Sequence, residues 1–332
     1  MDSVTKLKTL NNLAQAKIFK KRAPLAVGWA LTYICNLSCH YCRRWNQKTN
    51  EVTTVEARGM IDKLRKLGLA RINFTGGEPL IRKDVGELID YAKSKKICVW
   101  MNSNGTYVPK FIKSIKKLDG LALSVEGPDF IHDVIRKKGS YQEVLEAAEA
   151  AQKEGIVVKF AATLNKHNLD YVDDLIKLAK KFNTFVTFQP LEGNRLGSKE
   201  KNPIMPDKDL FRDSVNKIIS YKKSTLYKKH VGNSFNSLEY FLDYPKVKHL
   251  ECAFGRIAFR IEPDGRMGPC ALLSSKKLAI DLRRIDIKNI KKEFNNIFLP
   301  DTKCSCGFCC NRIELNMIWN MKFQSMTEAL RI

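Results

Sequence analysis

The chain has 332 residues, enough for two domains or for one barrel-sized domain with an appendage. A hydrophobic content of 44% excludes a disordered chain, and 18 Gly and 11 Pro without a period exclude a collagen-like or low-complexity chain. Lys and Arg outnumber Asp and Glu by 58 to 35, which gives a net charge of +23. No secretory signal or membrane-length apolar run is visible, so we expect a soluble, cytoplasmic protein in a reducing compartment.

The apolar spacing predicts alternating strands and helices. A short basic helix is expected within residues 1–25, before the core. Six strands are then predicted, over residues 26–34, 70–74, 97–101, 120–125, 157–163 and 185–188. Helices are predicted between them, over residues 53–67, 83–94, 109–117, 141–154 and 169–181. This alternation indicates parallel βα units over residues 26–195, in a partial barrel or an open sheet, and periodicity alone cannot choose between the two.

The pattern changes after about residue 195. Residues 196–250 are predicted to be a helical connector, with a helix over residues 208–223. Residues 257–262 and 266–272 then flank the turn Pro263-Asp264-Gly265, which is a hairpin signal. We expect residues 251–332 to form a small, cysteine-rich α+β domain. The predicted fold class is therefore α/β with this domain appended.

The chain has ten cysteines, so the main question is whether they bind a metal. Cys35, Cys39 and Cys42 follow the first strand with C-x3-C-x2-C spacing, whereas Cys98 lies alone in an apolar run and is expected to be a buried strand residue. Clustered thiolates in a reducing compartment suit a soft metal or an iron–sulfur cluster, and a structural zinc knuckle is the alternative. Three ligands instead of four would leave one iron open to another molecule.

A glycine-rich turn follows the second predicted strand. It reads Thr75-Gly76-Gly77-Glu78-Pro79, where two glycines permit a close backbone approach to a ligand and Glu78 could accept an ammonium group. The turn and the cysteines both stand at carboxyl ends of strands, which is the edge where barrel and open-sheet enzymes place their chemistry. The two motifs are therefore expected to form one site.

These two motifs and the later strand ends together resemble the radical SAM enzymes, over roughly residues 26–191. The resemblance implies a partial (β/α)6 TIM-like barrel with a 4Fe–4S cluster on Cys35, Cys39 and Cys42. The amino and carboxylate groups of S-adenosylmethionine would bind the fourth iron. An electron from the cluster would cleave the sulfonium to methionine and a 5′-deoxyadenosyl radical, which abstracts hydrogen from the substrate.

The resemblance also implies contacts with S-adenosylmethionine. Gly76, Gly77 and Glu78 match the turn at the methionyl amine, and Tyr41 matches the aromatic position beside the adenine. Arg136 matches the arginine that pairs with the methionyl carboxylate. The remaining implied contacts stand at the ends of the third to sixth strands: Asn102, Ser103, Ser124, Glu126, Asn165 and Gln189. His40 is expected to be a loop residue.

A second thiol cluster lies near the carboxyl terminus. Cys252, Gly265 and Cys270 have C-x12-G-x4-C spacing, which resembles the opening of the auxiliary-cluster domains called SPASM and twitch. The closing segment differs from SPASM, so the resemblance implies one auxiliary 4Fe–4S cluster, ligated by Cys252, Cys270, Cys306 and Cys309. Cys304 or Cys310 could substitute, and a structural zinc ribbon is the alternative.

The charge is spread over Lys and Arg pairs without a basic tail, which is typical of a solvated surface. It also suits an anionic substrate or an acidic electron donor such as flavodoxin or ferredoxin. Nucleic acid is not expected as a partner, and the chain is expected to be a monomer. The 25 residues before the first strand count mildly against a maturase that depends on a leader peptide.

The sequence therefore predicts a radical SAM enzyme acting on a cofactor precursor or on a peptide or protein. The auxiliary cluster would transfer electrons or bind substrate. The alternative is a non-catalytic iron–sulfur or zinc protein that binds nucleic acid. No catalytic base can be identified, since Glu192, Glu262 and Asp264 near strand ends are expected to be structural.

Overall fold

The computed structural model describes residues 13–14, 16–18, 22–245, 250–270, 279–295 and 310–322. Within these ranges the strands are β1 Ala26–Thr32, β2 Arg71–Gly76, β3 Cys98–Ser103, β4 Gly120–Ser124, β5 Val157–Leu164, β6 Val186–Pro190, β7 Ala258–Ile261, β8 Arg266–Gly268 and β9 Ile280–Asp281. All of these strands belong to one sheet.

The helices in the same ranges are α1 Thr54–Lys66, α2 Val85–Ser94, α3 Val108–Ile115, α4 Asp129–Ile135, α5 Ser140–Lys153, α6 Val172–Lys181, α7 Lys208–Lys223, α8 Phe235–Phe241, α9 Ile290–Asn295 and α10 Cys310–Trp319. The start of α1 shows why the local sequence folds this way. The Thr53 side chain accepts from the Glu56 N–H, and the Glu56 carboxylate accepts from the Thr53 N–H, which satisfies two helix-start donors.

The spatial order of the sheet is β6-β5-β4-β3-β2-β1-β7-β8-β9. All pairs from β6 to β7 are parallel, and β8 and β9 add antiparallel pairs at the edge. The strand order from β1 to β6 equals the chain order, and the described sheet is open instead of closed. The predicted α/β partial barrel is confirmed.

The two faces of the sheet have different chemistry because side chains alternate along a strand. One face packs on the helices and forms the main core, with Trp29, Phe74 and Phe160 fully buried. The opposite face, called the inner face below, carries small and polar residues. On β1 to β4 these include Gly28, Ala30, Asn73, Thr75, Asn102, Ala122 and Ser124.

Trp100 fills the amino-terminal end of the inner face. Its ring lies between the Arg71 guanidinium, 4.6 Å from the ring centre, and the Lys159 ammonium, 5.4 Å away. A Cβ on Gly120 would come within 2.5 Å of the same ring, so glycine is needed there. Trp100 therefore closes the inner face at this end, and the strand ends that precede the cysteine loop and the glycine turn lie at the other.

The hairpin after residue 257 forms as predicted, but it extends the main sheet, since β7 pairs directly with β1. The domain boundaries remain predictions. Of the predicted amino-terminal helix, residues 13–14 and 16–18 are described, and Ala16 is buried in a small cluster with Ile257 and Trp319. Among the described residues, no helix is both long and apolar enough to cross a membrane.

Candidate functional site

The cysteine loop leaves the carboxyl end of β1. Cys39 is 7% exposed, whereas Cys35 and Cys42 are partly buried. The loop turns where the Cys42 N–H donates to the Cys39 carbonyl at 2.9 Å. A second segment braces it, because the Leu196 N–H donates to the Tyr41 carbonyl at 3.0 Å. The predicted triplet is therefore held at the strand end.

Each thiol of the triplet faces an N–H donor. The Asn104 amide lies 3.9 Å from the Cys35 sulfur, and an Arg136 Nη lies 3.9 Å from the Cys39 sulfur. The Arg44 backbone N–H lies 3.5 Å from the Cys42 sulfur. Such donors stabilise thiolate charge, and hydrogen bonds to sulfur tune iron–sulfur clusters.

The thiol electrostatics fit a ligand role. Burial raises the pKa of Cys35 to about 11 and also raises the pKa of Cys39. A thiol must lose its proton to ligate a metal, and the positive metal charge drives that loss. Among the described residues, no three His, Cys, Asp or Glu side chains are arranged to hold a single metal ion. The three thiols with their N–H donors fit an iron–sulfur cluster.

Gly76 and Gly77 permit a close backbone contact within the chain. A Cβ on Gly76 would lie 2.1 Å from the Thr32 carbonyl oxygen, and one on Gly77 would lie 2.1 Å from the Ile34 carbonyl oxygen. The Gly77 N–H donates to the Thr32 carbonyl at 2.8 Å, and the Glu78 N–H donates to the Ile34 carbonyl at 2.9 Å. We expected these glycines to face a ligand. In the structure they also allow the turn to pack directly against the backbone of the cysteine loop.

Glu78 is fully buried, and its carboxylate is already hydrogen bonded. It accepts from the Leu80 N–H at 3.2 Å, the Ser103 hydroxyl at 3.0 Å and the Asn104 N–H at 2.8 Å. Burial raises the pKa of Glu78 to about 7, although these three donors act in the opposite direction. The side chain therefore ties the glycine turn to the end of β3. It also orients Asn104, a contact to Cys35 that the sequence analysis did not single out.

The predicted residues at the ends of β3 and β4 fall into two groups. Ser103 is 3% exposed and is used within the fold, since it bonds Glu78 and accepts from the Gly105 N–H. Asn102 and Ser124 are partly buried on the inner face, and neither makes a side-chain hydrogen bond within the described ranges. These two remain available for a bound molecule.

Tyr41, Glu126 and Arg136 form one buried network. Glu126 is fully buried and accepts from Arg136 Nη2 at 2.5 Å and from the Tyr41 hydroxyl at 2.8 Å. Its second oxygen accepts from the Thr163 N–H at 3.0 Å. Sequence reasoning assigned each of the three side chains separately to S-adenosylmethionine. In the structure they first bond one another, which fixes Arg136 against Cys39.

His132 contacts the backbone of this network and was not predicted as a site residue. Its Nδ1 accepts from the Glu126 N–H at 3.2 Å, and its Nε2 is buried without a partner in the described part of the chain. Burial and the charge of Arg136 lower the pKa of His132 to about 3, so the ring is neutral. The only sequence signal was a histidine among apolar residues four positions before Arg136.

The strand-end candidates on β5 and β6 differ from each other. Asn165 is fully buried and closes a local turn by accepting from the His167 N–H, which is a capping role. Gln189 is partly buried and donates to the Thr163 hydroxyl at 2.9 Å on the inner face. His40, expected to be a loop residue, is exposed.

The second thiol cluster is only partly described. Cys270 is 4% exposed and Cys252 is partly buried. Cys304, Cys306 and Cys309 lie outside the described residues, as does the side chain of Cys310, although Cys310 begins α10. The auxiliary ligand set therefore stays a prediction.

Comparison with known proteins identifies the family. Residues 29–179 match the family model described as the radical SAM superfamily. This region of the chain, residues 29–179, is a radical SAM domain. Members of this superfamily use a 4Fe–4S cluster and S-adenosylmethionine, and the matched residues contain the cysteine triplet and the glycine turn.

Curated relatives extend this match. The chain is 26% identical over 256 residues to the mycofactocin maturase MftC of Mycolicibacterium smegmatis, covering 75% of this chain and 64% of that protein. The MftC of Mycobacterium tuberculosis is 26% identical over 300 residues, covering 86% of this chain and 76% of the relative. An AdoMet-dependent heme synthase of Nitratidesulfovibrio vulgaris is 32% identical over 163 residues, covering 47% of this chain and 44% of the synthase. The chain thus spans less than two thirds of the first of these relatives.

Solved structures share the fold of this radical SAM protein. SuiB of Streptococcus suis bound to S-adenosylmethionine superposes with a TM-score of 0.64 at 16% identity, covering 93% of this chain and 77% of SuiB. Native anSMEcpe with bound AdoMet gives a TM-score of 0.64 at 18% identity, covering 93% of this chain and 100% of the other. At these identities the likeness shows the fold alone.

Proposed function

We propose that this radical SAM enzyme modifies a peptide or protein substrate. Cys35, Cys39 and Cys42 would hold the 4Fe–4S cluster, which with S-adenosylmethionine supplies a 5′-deoxyadenosyl radical for hydrogen abstraction. The observation that carries the proposal is the N–H donor at each of the three sulfurs, beside free polar groups on the inner face.

The chain's own residues have defined tasks in this proposal. Glu78 and Asn104 orient the loop around Cys35, and Glu126 holds Arg136 against Cys39. Asn102 and Ser124 would bind the polar groups of S-adenosylmethionine. Gly28, the small and partly exposed inner-face residue of β1, would leave room for a substrate beside the cofactor.

The peptide class rests on the relatives. The maturases match 75% to 86% of the chain, whereas the heme synthase match covers 47% of it. Among the proteins of the same fold, SuiB has been solved with the precursor peptide SuiA and anSMEcpe with the Cp18Cys peptide. Cys252 and Cys270, with Cys306 and Cys309, would hold one auxiliary 4Fe–4S cluster. An acidic flavodoxin or ferredoxin would donate the electron to a monomeric enzyme.

Anaerobic reconstitution tests the proposal. With a strong reductant, the wild type should convert S-adenosylmethionine to 5′-deoxyadenosine, and a library of synthetic peptides should contain members that raise this rate and change mass. Cys39→Ala should abolish turnover. Cys98→Ala is the matched control on β3 and should retain it, and Cys270→Ala should lose iron while keeping part of the cleavage.

Two results would contradict the proposal. The absence of 5′-deoxyadenosine from protein with about four or eight irons bound would remove the enzymatic function. A rate that rises with a tetrapyrrole and with none of the peptides would replace the substrate class with that of the heme synthase relatives.

A further inference from the structure

A second buried network lies beside the cysteine loop, at the carboxyl end of β7. Its four members are Tyr33, Arg44, Arg260 and Glu262. The Tyr33 hydroxyl donates to Glu262 Oε2 at 2.6 Å, and Arg260 Nε donates to the same oxygen at 3.4 Å. The Arg44 guanidinium lies 3.9 Å from it. Sequence reasoning treated Glu262 as structural and did not consider the arginines.

The network carries an unbalanced charge. Two guanidiniums surround one carboxylate, with side chains 9% exposed for Arg44, 15% for Arg260 and 4% for Glu262. Burial opposes ionisation of Glu262, but the two guanidiniums hold the pKa of its carboxyl below the ordinary value. One net positive charge therefore remains in a largely desolvated place, where charge without a partner is costly.

The hydrogen bonds of the network are also incomplete. The Arg44 guanidinium, which stacks 5.1 Å from the centre of the Tyr33 ring, makes no hydrogen bond in the described part of the chain. Arg260 bonds Glu262 through Nε alone, which leaves both of its Nη groups without a partner in the same ranges. Glu262 Oε1 is buried and lacks a donor there. The buried Glu262 oxygen costs roughly 1–3 kcal/mol. The Nη groups of Arg44 and Arg260 are not among the fully buried unpartnered atoms, so they are accessible to a bound molecule.

The unpartnered Nη groups of Arg260 lie on the inner face of the sheet. Arg260 pairs in register with Gly28, and a Cβ on Gly28 would lie 3.8 Å from an Arg260 Nη. Of the inner-face cations, Arg71 and Lys159 flank Trp100 at the amino-terminal end, whereas Arg260 lies near the carboxyl end of β7. There the two guanidiniums of Arg260 and Arg44 outnumber the single carboxylate of Glu262, and guanidinium forks are suited to binding carboxylates through paired hydrogen bonds.

We propose that Arg260 and Arg44, supported by Glu262 and Tyr33, bind a carboxylate of the substrate. The inference rests on the proposed peptide function and narrows it to peptides that present a main-chain terminal or side-chain carboxylate. Arg260 and Arg44 lie at the β1–β7 side of the inner face. The predicted methionyl contacts lie at β2 to β4, on the other side of β1. The subsite thus serves the substrate and leaves the cofactor carboxylate to other groups.

Small probes test the subsite without turnover. Dissociation constants for the reconstituted protein with S-adenosylmethionine are measured by calorimetry for three probes. N-acetylglycine presents a terminal carboxylate, N-acetylaspartyl amide presents a side-chain carboxylate, and N-acetylglycinamide presents neither. The wild type should bind at least one carboxylate probe about tenfold more tightly than the neutral probe, and the better of the two identifies the source.

Variants test whether Arg260 is responsible for the preference for carboxylate probes. Arg260→Gln should remove it, and Arg260→Lys should keep only part because the ammonium cannot form paired bonds. Arg266→Gln, which removes an equal charge from β8 of the same hairpin, should retain the wild-type preference. Iron content and the dissociation constant of S-adenosylmethionine should stay within twofold of wild type in all three.

The proposal is overturned if the wild type binds the neutral probe as well as both carboxylates, a comparison that needs no variant. It is also overturned if Arg260→Gln retains the preference, or if it weakens S-adenosylmethionine instead of the probes. Carboxylate binding together with failure of every peptide to raise 5′-deoxyadenosine would overturn the peptide function and leave the subsite in place.

Discussion

At the scale of single residues, Glu78 shows how position and role can differ. The sequence places it correctly at the end of β2. Its carboxylate lies at the centre of a hydrogen-bonded group that reaches Ser103 and Asn104 on β3 and, through Asn104, the sulfur of Cys35. Burial and these donors have opposite effects on its ionisation, and burial dominates. The charge state of this residue is therefore linked to stability.

Glu78→Gln should remove a loss of stability that accompanies rising pH. The folded-state pKa of about 7 lies above the ordinary value of 4.5, so the stabilisation is complete below pH 4.5 and is lost as pH rises through 7. Between pH 6 and 8 this loss is about 1 kcal/mol for the wild type. Anaerobic urea unfolding should show that the change in unfolding free energy from pH 6 to 8 is more negative in the wild type than in Glu78→Gln by about this amount. The buried neutral His132 adds stability with rising pH in both proteins, so only the difference between them reports Glu78.

The matched control is Glu87→Gln on the exposed face of α2, which should keep the wild-type slope because Glu87 makes only an exposed pair with Arg58. An unchanged slope in Glu78→Gln would mean that the buried carboxyl does not take up a proton in this range.

At the scale of elements, the backbone contact between the glycine turn and the cysteine loop determines where the thiols lie. Backbone bonds from Gly77 and Glu78 hold the loop at Thr32 and Ile34, and no side chain could replace either glycine hydrogen without moving the loop. The thiol geometry thus depends on β2 as much as on β1.

Gly77→Ala should displace the cysteine loop, because its Cβ would overlap the Ile34 and Tyr33 carbonyl oxygens at 2.1 and 2.6 Å. We expect most of the triplet-bound iron to be lost and unfolding free energy to fall by about 2 kcal/mol or more. Iron analysis and the cluster absorption band measure the first effect. Gly59→Ala, at a helical site with no atom within 4 Å, should keep full iron content and gain up to about 1 kcal/mol.

A Gly77→Ala protein with full iron content would show that the cysteine loop can hold its position without this backbone contact.

Between residues 26 and 195, sequence periodicity predicted the strands and α-helices to within a few residues, except for helix α4. Beyond residue 250, α9, α10 and β9 were not predicted. Helix α4 was not predicted because its apolar residues only partly mark its buried side: Phe130 and Val134 are 56% and 59% exposed, while Ile135 and His132 are fully buried. The Tyr41–Glu126–Arg136 network also could not be predicted from the sequence, because each partner comes from a different segment and only the fold sets the distances between them. The cysteine and glycine motifs could be recognised from the sequence because the residues of each motif lie close together in the chain.

At the scale of the whole molecule, the +23 charge is a property of both surface and interior. Surface cations would attract an acidic electron donor at long range, whereas the proposed carboxylate subsite would act on a bound substrate at short range. The two effects have different salt dependence, since exposed charges are screened within about 8 Å at physiological ionic strength and buried ones are screened much less.

Salt should therefore separate the two effects. With flavodoxin as the electron donor, the rate of 5′-deoxyadenosine formation should fall several-fold between about 0.05 and 0.3 M salt, because the encounter is electrostatically steered. With dithionite, a small reductant that needs no docking surface, the rate should change by less than twofold. Equal salt dependence with both reductants would mean that the surface charge does not recruit the donor.

The position of β1 between β2 and β7 has a consequence for assembly. Strands β1 to β6 pair with near neighbours in the chain, so they can dock in the order in which the ribosome releases them. The β1–β7 pair instead joins Ala26 to Ala258, a long loop closure that comes late. Until then the β1 side of the cysteine loop has no β7 beside it. We therefore expect cluster insertion to be easiest during biosynthesis, after β2 holds the thiols in place and before the hairpin closes beside them.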